Sequence, residues 1–121
     1  MNDYLLILRY DAHRADAPAM ASDELQAVIA RYYAWTEELR ANGHYVSSAK
    51  LVDEPKGGIV RAKPNGPIAV DGVFAEGDEI VGGIFTIRAD DVEHALSIAQ
   101  TCPHVDLGGS IEVREIEFSR A

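Results

Sequence analysis

The run Tyr4-Leu5-Leu6-Ile7-Leu8-Arg9-Tyr10 limits the possible folds more than any other segment. It has branched or aromatic side chains at nearly every position and is too short for a stable surface helix, so it predicts a strand. Apolar residues on both alternating faces predict a central strand, covered on two sides. A chain of 121 residues builds one core, not two, so the remaining segments must be arranged around this strand.

Residues 11–24 mix small and charged side chains, and Pro18 forbids a helix interior there. A helix follows over about 22–42. Ser22 is its expected cap, Asp23 and Glu24 favour its positive end, and Leu25, Val28, Ile29, Tyr32, Trp35 or Thr36, and Leu39 recur every three or four residues. Gly43 is the expected terminator. Residues 44–52 can form a second strand. Residues 59–63 and 67–71 flank Pro64-Asn65-Gly66, where Asn-Gly supplies the angles of a tight reversal, and read as a hairpin.

Residues 71–79 hold two glycines and four carboxylates and read as a loop. Residues 80–89 form a further strand in which Gly82-Gly83 removes side-chain bulk at successive positions. Two readings stand there: a twist or bulge, or space for a ligand or partner chain. Asp90 and Glu93 make a capping pair for a second helix, with Val92, Ala95, Leu96, Ala99 and Cys102 inward and Pro103 as its stop. Residues 111–118 form the last strand, in which the slip of alternation between Val113 and Ile116 predicts a bulge near Arg114-Glu115.

Strand, helix, two or three strands, long strand, helix, strand is satisfied by an α+β domain: a ferredoxin-like antiparallel sheet with two helices on one face. The other face would then be bare and apolar, and a second copy of the chain is its expected cover, giving a homodimer. Hiding about 800 Å² of apolar area contributes on the order of 20 kcal/mol before association costs.

A formal charge of −9 disfavours nucleic acid, because it repels a phosphate backbone. The acidic residues of positions 71–94 read as a solvated face or as an attraction for a cation or basic ligand. The single cysteine, Cys102, gives no internal disulfide framework and predicts a reducing compartment. The apolar run near the start is too short for a membrane span, and the expected protein is cytoplasmic with no membrane partner. Close Cys/His clusters, glycine-rich nucleotide motifs and a nucleophile elbow are lacking, so no metal or cofactor is predicted.

The segment Asp71-Gly72-Val73-Phe74-Ala75-Glu76 resembles the signature of the DGPF branch of the YCII-related proteins. The initial Tyr4–Leu8 run, the helix end at 38–43, Gly82-Gly83, Asp90-Asp91, Cys102-Pro103 and the run Gly109–Arg114 fall in the same order as in that branch. Val73 stands where the branch usually has proline, and Gly77-Asp78 where Thr-Lys is common. The resemblance implies a dimeric α/β barrel. It also implies a histidine–aspartate precedent for chemistry and an association of some members with alternative sigma factors.

Asp71 and Glu76 are the leading paired carboxylates: confined together, they would form an acid/base couple; apart, they are structural or ligand contacts. His13 and His104 are the histidines best placed on loops for chemistry, and Asp71, Phe74, Glu76, Gly82, Gly83 and Arg114 are the candidate ligand-binding residues. These residues predict a small-molecule-binding or accessory protein. The alternatives are an enzyme of proton transfer, elimination or ring modification on a small polar organic compound, and a regulatory module that binds a sigma factor.

Overall fold

The structure, a computed structural model, describes residues 1–11, 20–53, 56–64, 66–71 and 79–120, with the backbone alone at 63 and 67–71. The described elements are β1 (Asn2–Asp11), α1 (Ser22–Ala41), β2 (Tyr45–Lys50), β3 (Ile59–Lys63), β4 (Gly66–Asp71), β5 (Glu79–Ala89), α2 (Val92–Gln100), α3 (Pro103–Asp106) and β6 (Ser110–Glu115). Four strands form an antiparallel sheet in the order β2-β5-β1-β6, which is the ferredoxin-like order, while among the described residues β3 and β4 pair only with each other in a second sheet.

Alternation along β1 divides its side chains between two environments. Tyr4, Leu6 and Leu8 are buried beside Ile87 of β5, and they share one core with Trp35 and Leu39 of α1 and Ala95, Ile98 and Ala99 of α2. The helices therefore lie on one face. Trp35 meets the Phe85 ring edge-on at 4.9 Å, and its indole Nε1 donates to Thr101 Oγ1 at 2.8 Å, tying α1 to the end of α2.

The barrel expectation is corrected here: the four-stranded sheet is open. Closure requires the two edge strands to hydrogen-bond to each other. Among the described residues β2 bonds only to β5, and β6 only to β1. β1 is central in that sheet, between β5 and β6, and its odd-numbered Leu5 and Ile7 are half-buried on the side away from the helices.

Several local predictions move by a residue or two. Ala21, not Ser22, is the N-cap of α1, and it makes no side-chain cap bond. Gly43 does follow the helix, at φ 78°, in the left-handed region that glycine adopts without penalty. The cap of α2 is Asp91, whose carboxylate accepts the His94 amide at 2.8 Å. Leu96 and Val92 are exposed, and Ile98 is buried in their place. Pro103 both ends α2 and opens α3, where its missing amide removes no helix bond. β6 pairs with β1 without a register shift; the bulge lies instead between Leu8 and Arg9, where Gly82 is the extra residue on β5.

Candidate functional site

The open face is built from three rows of cross-strand neighbours. Ala49, Ile84, Ile7 and Glu112 form one row, and Ser47, Thr86, Leu5 and Arg114 the next. Arg88 and Asp3 lie beyond. Antiparallel partners point to the same side, so Leu5, Ile7 and Ile84 make an apolar floor with charged side chains at two borders.

At one border Glu112 lies between two arginines. Its Oε1 accepts from Arg9 Nη2 at 3.0 Å, and its Oε2 accepts from Arg114 Nη1 at 3.2 Å. These two bonds, the larger coming from Arg114, hold the Glu112 carboxyl below the usual carboxylate range. Arg114 is 69% exposed and Arg9 33%. The opposite border carries Arg88 Nε, which donates to Asp3 Oδ1 at 3.1 Å. At the far end of the face the Ser110 hydroxyl donates to Glu79.

Among the residues singled out from sequence, Arg114 lies directly on this face. Asp71 ends β4, paired with Ile59, and its side chain is outside the described residues. His13, Phe74 and Glu76 also lie outside them. Around Gly82 and Gly83 the space is occupied from within the chain: a Cβ on Gly82 would come 2.7 Å from Tyr10 Cε1, and one on Gly83 would come 3.1 Å from the Ala49 carbonyl oxygen.

His104 is buried behind the sheet. Its Nε2 lies 2.6 Å from the Arg9 carbonyl oxygen, and a carbonyl only accepts, so Nε2 carries the proton. Nδ1 is then the acceptor for the Tyr32 hydroxyl at 3.2 Å. Both ring nitrogens are engaged, and Gly109 gives the ring its room, since a Cβ there would fall 2.1 Å from Nε2. The neighbouring Arg31–Asp106 bond at 2.6 Å joins α3 to α1.

Arg9 and Glu112 were not among the sequence candidates. The available signal was Glu112 and Arg114 two positions apart in a strand, which places both on one face; only strand order brings Arg9 beside them. A second pairing invisible in the sequence is His44 with His94, edge to face at 5.0 Å. His44 Nδ1 donates to the Arg88 carbonyl at 2.8 Å, and His94 Nδ1 accepts from the Asp90 amide at 3.1 Å.

Among the described residues no group of three or more histidine, cysteine, aspartate or glutamate side chains is placed to hold a metal ion. No described helix is long and apolar enough to cross a membrane.

Fold and site together define an open-faced α+β domain with ferredoxin-like strand order and an ion-paired rim. The chain belongs to the YCII-related domain family, whose profile matches residues 4–119. No curated protein matches it. One solved structure that it resembles is a Burkholderia cenocepacia protein provisionally described as an amidohydrolase/peptidase, at 20% identity and a TM-score of 0.33. The match covers 95% of this chain and 27% of that one, and at that level it carries no functional argument.

Proposed function

We propose that this domain, of the DGPF branch, is a cytoplasmic small-molecule-binding or accessory protein that works through the open face of its sheet. The observation that carries the reading is the apolar floor of Leu5, Ile7 and Ile84, half-buried and bordered by the Arg9–Glu112–Arg114 bonds. Small-ligand sites are generally enclosed and apolar with a few fixed polar groups, and this floor supplies the apolar lining and the polar margin. Self-association into a homodimer belongs to the same proposal, because a second copy laid over this floor removes apolar area from water and encloses the ligand between the two sheets.

The binding reading is tested by native mass spectrometry of protein purified from its host, followed by thermal-shift screening with the compounds found. A retained compound that raises the melting temperature without being converted supports it. Turnover of that compound, lost in Asp71→Asn, would replace it with the enzyme reading. Capture of a sigma factor together with no ligand at all would replace it with the regulatory one. Sedimentation at micromolar concentration checks the homodimer, and a stable single copy overturns that part.

A further inference from the structure

We infer that the open face takes a small organic carboxylate with an apolar body, the body lying on Leu5, Ile7 and Ile84 and the carboxylate meeting Arg114 and Arg9. This rests on the reading of the open face as the binding surface. The structure already holds one carboxylate at that spot. Glu112 offers one oxygen to each arginine, at 3.0 Å and 3.2 Å, and so shows that the two guanidinium groups are spaced to share a carboxylate.

A guanidinium has five N–H donors in a planar fork that matches a carboxylate two bonds at a time. Arg114 gives one of them to Glu112 and is 69% exposed, so an incoming carboxylate can reach its remaining donors. Arg9, Arg88 and Arg114 share this face with Glu112, Asp3, Asp11 and Glu79, so the attraction for an anion is local to Arg114 and Arg9. An inorganic anion would use the arginines but leave the floor wet; an apolar body beside the carboxylate uses both.

Benzoate and benzyl alcohol, matched in ring and different in charge, are the probes, titrated into the full chain while backbone amide resonances are followed by NMR. Benzoate is expected to shift the amides of Leu5, Ile7, Ile84, Glu112 and Arg114. Arg114→Ala should weaken it about tenfold or more, the usual effect of losing a charged hydrogen bond. Glu112→Gln should strengthen it several-fold, since the internal competitor loses its charge. Both substitutions are on the surface, and unchanged circular dichroism confirms folding.

Benzyl alcohol shifting the same amides as strongly as benzoate overturns the carboxylate class and leaves the binding face standing. Benzoate binding that is indifferent to Arg114→Ala also overturns the class. If neither compound moves these amides at millimolar concentration, the binding-face reading fails with it.

Discussion

The two faces of the four-stranded sheet are made from alternate residues of the same strands, yet they do different work. Leu6 is fully buried under the helices, while its neighbours Leu5 and Ile7, equally apolar, lie half-buried on the open side. On the covered face polar groups are satisfied internally: the Trp35 indole by Thr101, and the His104 ring by Arg9 and Tyr32. On the open face the charged groups are exposed to solvent, as at Arg114 and Arg88. The difference teaches that hydropathy alone does not fix which side of a strand is core. The helices choose the side, and ion pairs edge what remains.

The comparison breaks most sharply at β1. Leu6→Ala should destabilise the domain by about 3 kcal/mol through the cavity left behind, and Ile7→Ala by only about 1 kcal/mol, because solvent and flexible neighbours can fill its place. Urea denaturation of the two variants measures this, and equal losses would mean that the open face is packed. Next in size, His104→Leu should cost about 2 kcal/mol by removing the donor to the Arg9 carbonyl and the bond to the Tyr32 hydroxyl. The same denaturation series checks it, and a neutral result would remove His104 from the framework that holds β1 to α1.

Cys102 sharpens the contrast from the covered side. Burial pushes its thiol up from 9.0 to about 11, so in the folded chain it should stay unreactive toward thiol reagents at pH 8 and react only on unfolding. The folded state holds this proton more tightly than the unfolded one. Its contribution to stability is therefore complete below pH 9 and declines as pH rises toward 11. Alkaline denaturation of wild type against Cys102→Ala reads the difference.

The smallest effect belongs to the open side. Glu112, held below its usual range by Arg114 and Arg9, contributes stability that is present above the ordinary carboxylate range and lost as pH falls through its lowered value. Carbon NMR of the side-chain carboxyl should show that lowered midpoint in wild type and its return toward the ordinary range in Arg114→Ala. An unchanged midpoint would mean that the pair is not formed in solution.

Much of the fold was legible from local pattern. The Tyr4–Tyr10 strand, the helix ending at Gly43, the hairpin around Pro64–Gly66 and the long strand with its Gly82 irregularity follow from side-chain period and backbone chemistry, which act between near neighbours in the chain. The site was far less legible. Arg114 could be selected from its position in a strand. Its partnership with Glu112 and Arg9 could not, because Arg9 and Glu112 stand 103 residues apart and meet only through the placement of β6 beside β1.

The sequence by itself determined the kinds and the order of the elements apart from the short α3, where the pattern around His104 reads as a loop, together with the acidic balance and a central strand apolar on both sides, since these are properties of adjacent residues. Tertiary structure alone decided which side the helices cover, that β2 and β6 stay apart and leave the sheet open, and that a carboxylate is placed between two arginines. The physical reason is range. Propensity and periodicity are set within a few residues, whereas layer choice and ion-pair geometry depend on contacts between segments that the chain order keeps far apart.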